Sequence, residues 1–332
     1  MTTEADAVLS NDRWTANQIP SLAGRTFIVT GANSGLGYVT TRELARHGGH
    51  VIMAVRDEAK GKEALEELGE RLPAASLELR HLDLSDLSSV KAFAQGIIAD
   101  RMPVHVLINN AGIMMPPRSL TRQGFELQFG VNHLAHFALT GLLLKTLAVG
   151  SDARVVTVSS NAHKKGFIHF DDLTGERKYG GWEFYCQSKF ANTVFALELD
   201  RRLRASGVPV KSILAHPGYS ATNLQSSGPS GVLKLVMRLT NKCIAQNVDT
   251  GTLPQLYAST DSKAEGGQFI GPDGHGESKG YPTIVQPVET AKNPNTAKRL
   301  WDISEELTGV HFGLGAVSEI KRQQVRRMVP ET

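Results

Sequence analysis

A chain of 332 residues with 36 Lys and Arg against 33 Asp and Glu carries a net charge of only +3, too small a balance to argue for nucleic acid or an acidic surface. With 41% hydrophobic and 21% charged residues, the composition is that of a soluble globular protein able to bury a full core. Its 2 cysteines, Cys186 and Cys243, lie far apart, which excludes a disulfide scaffold and a cysteine-rich zinc site and makes a reduced, cytoplasmic setting the expectation.

Residues 1–22 read as a polar leader, since Met1 to Ser10 holds Glu4 and Asp6 and no basic-then-apolar pattern of a signal peptide. From Arg25 onward, short β-branched runs alternate with helical patterns. Strands are predicted at Thr26 to Thr30, His50 to Val55, Leu77 to Leu82, Val104 to Ile108, Arg154 to Val158, Val210 to Ala215 and Gln268 to Ile270. Helices are predicted from Gly35 to His47, from the Asp57 cap to about Leu72, and near Leu87 to Asp100. Two long helices follow, near Phe125 to Val149 and at Glu183 to Ser206. Strands apolar throughout and separated by helices predict an α/β fold with a doubly wound parallel sheet of Rossmann type, covered on both faces. The longest apolar stretch, around Phe137 to Val149, is interrupted by Lys145, well short of the roughly 20 residues a membrane span needs.

The first strand runs straight into Thr30-Gly31-Ala32-Asn33-Ser34-Gly35-Leu36-Gly37. A glycine-rich turn between strand and helix lets backbone approach a pyrophosphate at the positive N-terminus of the helix. Read by itself, the same turn also serves as plain βα punctuation with helix-packing glycines. It is not a P-loop, because no Gly-Lys-Ser/Thr follows. The second strand ends at Ala54-Val55-Arg56-Asp57. An acid at that tip would bind the ribose hydroxyls of NAD, whereas an Arg accommodates the 2′-phosphate of NADP. Arg56 holds the tip, while Asp57 is placed to cap the next helix. Lys60 is in reach to assist Arg56, although an exposed lysine on a charged helix is usually just solvated.

Tyr185-Cys186-Gln187-Ser188-Lys189 opens the second long helix. Tyr185 and Lys189, four residues apart, project from one helical face. A nearby cation favours the phenolate and lowers a phenol pKa of about 10 toward working pH, so the pair suits proton exchange with an alcohol or carbonyl. An amphipathic helix also yields this spacing by chance. Ser159-Ser160 closes the fifth strand, at the carboxyl end where ligands bind in such sheets. It is not a nucleophile elbow, since no Gly-x-Ser-x-Gly surrounds it.

In order along the chain stand Thr30-Gly31-x-x-x-Gly35-x-Gly37, Asn109-Asn110-Ala111-Gly112, Asn132, Ser160, Tyr185-x-x-x-Lys189 and Pro217-Gly218. Together they resemble the short-chain dehydrogenase/reductases over about residues 22 to 285. Val55-Arg56-Asp57, Tyr185-Cys186-Gln187-Ser188-Lys189 and His216-Pro217-Gly218-Tyr219 followed by Thr222 are similar to the branch with retinol dehydrogenases and NADP-linked carbonyl reductases. The resemblance implies that Gly31, Asn33, Ser34, Gly35, Leu36 and Gly37 hold the pyrophosphate and Arg56 the 2′-phosphate. It implies Asp83 and Leu84 at the adenine, Asn110, Ala111 and Gly112 along the ribose, and Pro217, Gly218 and Thr222 at the nicotinamide end. Tyr185 would be the general acid/base, Lys189 its pKa modulator and a ribose ligand, and Ser160 the carbonyl polariser. Asn132 would kink its helix and position a proton-relay water. The long stretch from Asn161 to Phe184 between Ser160 and Tyr185 reads as substrate-side decoration.

The expected organisation is one dinucleotide-binding domain over 23–285, with substrate-side insertions at about 161–184 and 223–247. Residues 286–332 would form a C-terminal extension wrapped on the periphery. The expected activity is NADP(H)-dependent interconversion of an alcohol and a carbonyl, on an apolar aldehyde or ketone and without metal. Two alternatives stand beside it: an NAD-linked retinol- or hydroxysteroid-type dehydrogenase, and a non-catalytic NADP sensor. His133 and His136 are three apart, yet no His-Glu-x-x-His accompanies them. Cys186 reads as a small buried hydrophobe. The apolar patch Val232 to Leu239 reads as a lid over an apolar substrate, with a membrane contact as the other possibility. Lys321, Arg322, Arg326 and Arg327 read as a solvated helix face. In the resembling family the two long helices pack on a symmetry mate, so a homo-oligomer is expected.

Overall fold

Strand β1 (Thr26–Thr30) is buried at all five positions, and its side chains divide between two cores because successive residues of a strand face opposite ways. Phe27 and Val29 enter one apolar cluster with Leu44, Leu68 and Leu256, while Ile28 enters another with Leu107, Phe137 and Phe195. A strand apolar on both faces is stable only when helices cover both. In the computed structural model, which describes residues 13–219 and 247–314, the chain supplies those helices by alternation. After β1 come α1 (Gly35–Arg46), β2 (His50–Val55), α2 (Glu58–Arg71), β3 (Ser76–His81), α3 (Leu87–Ala99) and β4 (Val106–Asn109). Then follow α4 (Leu127–Phe129), a π turn (Gly130–Leu134), α5 (Ala135–Leu147), β5 (Ala153–Val158), α6 (Gly181–Ser206) and β6 (Val210–Ala215). The described chain continues through α7 (Val248–Thr260), β7 (Phe269–Pro272), β8 (Pro282–Val285) and α8 (Pro294–Thr308).

The eight strands form one sheet in the order β3-β2-β1-β4-β5-β6-β7-β8. Neighbours are parallel from β3 to β7, and β8 pairs antiparallel with β7. The chain steps outward from β1 to β2 and β3, then returns to lay β4 on the other side of β1. That reversal opens a crevice beyond the carboxyl ends of β1 and β4, the place where such sheets bind ligands.

Four features differ from the sequence reading. The long helix predicted near Phe125 to Val149 is interrupted: the Glu126 carboxylate caps α4 by accepting from the Phe129 amide at 2.7 Å, and a π turn intervenes before α5. Helix α7 holds Pro254 in its interior and is buried at Thr252, Leu253, Pro254, Gln255 and Leu256, so it shows no amphipathic period to read. β8 is short and its two central residues are exposed. The described part of the extension expected as a peripheral wrap, residues 286–314, packs into the core. Trp301 of α8 is 2% exposed and sits 5.2 Å from Phe137 and 4.7 Å from Phe312, ring centre to ring centre. Helix α8 is started by Asn293, whose side chain accepts from the Asn295 and Thr296 amides. The patch from Val232 to Leu239, Cys243, the tail from Lys321 to Arg327 and the N-terminal leader through Asn11 and Asp12 lie outside the described residues.

Candidate active site

A cavity of about 790 Å³ opens at the carboxyl ends of the central strands. Its floor begins at the β1–α1 turn, where Gly31 has φ +68 and a Cβ on Gly37 would fall 2.2 Å from the Gly31 carbonyl oxygen. Only glycine lets the first turn of α1 press so close to the strand end. Helix α1 starts there without a side-chain cap, so its positive end faces the cavity. Asn33, Ser34, Gly35 and Leu36 line the same wall. Such a cradle, formed by backbone at a helix N-terminus, suits the pyrophosphate of a dinucleotide.

Beyond it, Arg56 at the tip of β2 is exposed and lines the cavity. Asp57 accepts from the Lys60 amide at 3.2 Å and pairs with Lys60 Nζ at 3.3 Å, so it is engaged in capping α2. Asp83 and Leu84 also line the cavity. The Asp83 carboxylate holds its own loop, accepting from the Ser85 amide and hydroxyl at 2.8 and 2.7 Å. Asn110, Ala111 and Gly112 follow β4 along the opposite wall. The Asn110 side chain is turned inward, donating to the Thr30 carbonyl at 2.8 Å and accepting from Gln255 at 3.2 Å, which leaves backbone toward the cavity. Thr30 was part of the motif without a role; its hydroxyl accepts from the Asn110 and Ala111 amides at 3.0 and 2.9 Å and thereby fixes that turn. Pro217 and Gly218 close the far side, and Thr222 lies outside the described residues.

The reactive groups converge where β5 meets α6. The two serines part company: the Ser159 hydroxyl bonds to the Lys189 carbonyl at 3.0 Å and to Thr193 at 2.9 Å, whereas the Ser160 hydroxyl accepts from the Ala162 amide at 3.2 Å and lines the cavity beside Tyr185. Tyr185 is 7% exposed and Lys189 3%. Burial pushes the phenol up to about 12, opposed by the neighbouring Ser160 hydroxyl. Burial also brings the Lys189 ammonium down to about 8. Lys189 Nζ donates to the Val158 carbonyl at 3.1 Å and stands 5.9 Å from the centre of the Tyr185 ring. Desolvation therefore dominates the phenol, against the lowering by Lys189 that the sequence suggested. Cys186 is buried, its thiol pushed up to about 11.

Asn132 does not line the cavity; it lies fully buried in the π turn. Its side chain accepts from the Ile113 amide at 2.8 Å and donates to the Ile113 carbonyl at 3.0 Å and to Ser188 at 2.9 Å. It latches the segment after Gly112 to α6, and its own carbonyl is bonded by His136 Nδ1 at 3.1 Å. The sequence reading missed a second latch. Gln128 accepts from the Met115 amide at 2.8 Å and donates to Tyr179 and to the Gly181 carbonyl, while Tyr179 donates to the Pro116 carbonyl. These partners lie 13 to 63 residues apart with no motif, so nothing in the sequence pairs them. Met114 and Trp182 complete an apolar side next to Tyr185, Trp182 standing 5.8 Å from its ring.

Comparison with known proteins agrees with this geometry. The short chain dehydrogenase family profile matches residues 25–231. Retinol dehydrogenase 12 of Homo sapiens is 42% identical over 291 residues, 88% of each chain, and Retinol dehydrogenase 13 of Homo sapiens is 39% identical over 317 residues, 92% of this chain and 91% of that one. The crystal structure of an uncharacterized protein from Mycobacterium Paratuberculosis superposes with TM-score 0.76 at 46% identity, covering 90% of this chain and 99% of that one. A proposed NAD(P)-dependent gluconate 5-dehydrogenase from Beutenbergia cavernae, with NADP bound at low occupancy, superposes with TM-score 0.58 at 26% identity over 75% and 95% of the two chains. With its parallel sheet, glycine cradle and Ser160–Tyr185–Lys189 cluster, the chain belongs to the short-chain dehydrogenase/reductases, is retinol-dehydrogenase-like, and is an oxidoreductase acting on CH–OH donors with NAD(P).

Proposed function

We propose that this chain is an NADP(H)-dependent oxidoreductase that interconverts an alcohol and an apolar aldehyde or ketone, with Tyr185 as general acid/base. The observation that carries the cofactor choice is Arg56. It stands exposed on the cavity wall, no carboxylate pairs with it among the described residues, and its acidic neighbour Asp57 is engaged with Lys60 and the start of α2. A guanidinium in that position grips a 2′-phosphate with paired, charge-assisted hydrogen bonds.

The residues that would hold the cofactor are the Gly31–Gly37 cradle at the pyrophosphate, Arg56 at the 2′-phosphate, Asp83 and Leu84 at the adenine, Asn110 to Gly112 and Lys189 at the ribose, and Pro217 and Gly218 at the nicotinamide end. Bound there, the nicotinamide supplies the hydride or accepts it. Ser160 and Tyr185 hold the substrate oxygen between their hydroxyls. Burial keeps the phenol protonated, so Tyr185 enters reduction as the acid: its O–H proton passes to the carbonyl oxygen as that oxygen becomes an alcohol, and returns in oxidation. Lys189, buried beside the ring, supports the phenolate that this transfer leaves. Met114, Leu127, Val131 and Trp182 on the cavity wall favour an apolar substrate body. The names of the similar retinol dehydrogenases make the retinal/retinol pair one to assay.

Titration of NADPH and NADH against wild type, Arg56→Ala and Arg56→Asp tests the reading. Charge-assisted bonds contribute roughly 1.5–3 kcal/mol each, so Arg56→Ala is expected to cost about ten- to a hundredfold in NADPH affinity. NADH, lacking the phosphate, is expected to bind both forms alike, and Arg56→Asp to shift preference toward NADH. A wild type that already prefers NADH, or an unchanged preference in Arg56→Asp, favours the NAD-linked alternative.

A further inference from the structure

The connection between β7 and β8 carries a carboxylate that the chemistry above does not use. It contains the short turn His275–Glu277, in which Glu277 holds φ +54. A non-glycine residue keeps that left-handed backbone where its surroundings over-determine it, and here they do. Glu277 Oε1 accepts from Lys164 Nζ at 2.8 Å, on the turn that Ser160 caps. Glu277 Oε2 accepts from His216 Nε2 at 3.1 Å, immediately before Pro217–Gly218. The backbone of the same connection repeats the two contacts. Asn161, next to Ser160, donates to the Gly276 and Glu277 carbonyls at 3.1 and 3.0 Å, and the Tyr219 amide donates to the Ser278 carbonyl at 2.8 Å.

His216 transmits the second contact. Its ring is fully buried, edge-on to Phe269 at 5.2 Å. The Gly218 amide donates to His216 Nδ1 at 3.2 Å, so Nδ1 bears the lone pair and the proton belongs on Nε2, aimed at Glu277. Burial keeps the ring neutral, and the hydrogen bond from His216, with Lys164 behind it, holds the Glu277 carboxyl at about 2. An ionised Glu277 beside a neutral His216 selects a single tautomer, and that tautomer fixes the Gly218 amide.

We infer that Glu277 is a positioning residue. Through Lys164 on one side and His216 on the other, it sets Ser160 against the Pro217–Gly218 turn, and so sets where the carbonyl oxygen is held relative to the nicotinamide end. The inference rests on the roles proposed above for Ser160 and Pro217–Gly218; it is indifferent to the choice between NADP and NAD.

The test compares Glu277→Ala with Glu277→Gln, using whichever cofactor supports wild-type turnover. The amide oxygen of Gln still accepts from His216. Glu277→Ala is expected to lower kcat about 10- to 100-fold, the scale of a roughly 1 Å misplacement, with cofactor Kd by fluorescence titration nearly unchanged because the adenosine and pyrophosphate contacts are untouched. Glu277→Gln is expected to restore most of kcat. Nitrogen-15 NMR of wild type at neutral pH is expected to show His216 bare at Nδ1 and protonated at Nε2, and Glu277→Gln to keep that signature. Wild-type kcat in Glu277→Ala overturns the inference, as does a Glu277→Gln as impaired as Glu277→Ala, or a His216 protonated at Nδ1. If the alanine variant does not fold, the glutamine variant and the wild-type spectrum decide. The spectrum needs no turnover, so a protein inactive with both cofactors counts against the proposed function while the tautomer still judges the bridge.

Discussion

Tyr185 stands in a buried environment that keeps its phenol protonated, the state the proposed role as proton donor requires. Burial raises its phenol to about 12, opposed by the neighbouring Ser160 hydroxyl. Tyr185→Phe removes the proton but not the ring, so the variant is expected to bind cofactor normally and to lose turnover by about 10² to 10⁴, the usual worth of a general acid/base. Stopped-flow or steady-state assay checks this, and near-wild-type turnover would contradict the assignment. The glycine turn, Arg56, Tyr185 and Lys189 stand out in the sequence because each needs a residue type that its neighbours do not supply, and they line one cavity, whereas Ser159 and Ser160 are told apart only by their partners in the fold. What was not legible is how side chains are used up. Asn110 turns to Thr30, Asp83 to Ser85, and Asn132 to Ile113 and Ser188, and such partners are set by the fold and not by spacing.

The stretch from α4 to α5 is where local pattern and tertiary structure diverge. Its apolar run reads as one helix, yet the π turn at Gly130–Leu134 rotates Asn132 onto the loop after β4. Asn132→Ala leaves the Ile113 amide and carbonyl without partners, and each buried group so orphaned costs about 1–3 kcal/mol. A clear fall in the denaturant midpoint is expected, together with lower kcat; an unchanged midpoint would show that the latch is not formed. Two buried histidines on the same stretch make a second prediction. Burial lowers His133 to about 3 and His136 to about 4, from 6.5 in the unfolded chain. On acidification the unfolded chain takes up these protons first, so stability is expected to fall as pH drops from 6.5 toward 4. Equilibrium unfolding at stepped pH values checks the sign, and proton NMR showing either histidine titrating near 6.5 in the folded protein would contradict it. Strands β1 and β2 could be read in advance because their short β-branched apolar runs are too brief for a helix and are bounded by turn residues. Helix α7, buried around nearly its whole circumference, and the short, half-exposed edge strand β8 offered no period to find.

At the scale of the whole molecule, α8 closes the fold. Trp301 and Phe312 pack on Phe137 of α5 and Phe195 of α6, covering within one chain apolar surface between the two helices expected to meet a symmetry mate. Trp301→Ala is expected to cost about 3–5 kcal/mol, as large core truncations do, and a loss well under that would place α8 outside the cooperative unit. The sequence placed this segment at the periphery because it follows the last recognisable strand, and chain order says nothing of where a final helix docks. The chemistry of the whole molecule is read out by kcat/KM for one apolar aldehyde with NADPH and with NADH, in wild type and Tyr185→Phe. Reduction is expected to favour NADPH strongly and to be nearly abolished in Tyr185→Phe; equal or better turnover with NADH, or a Tyr185→Phe as fast as wild type, would overturn the proposed chemistry.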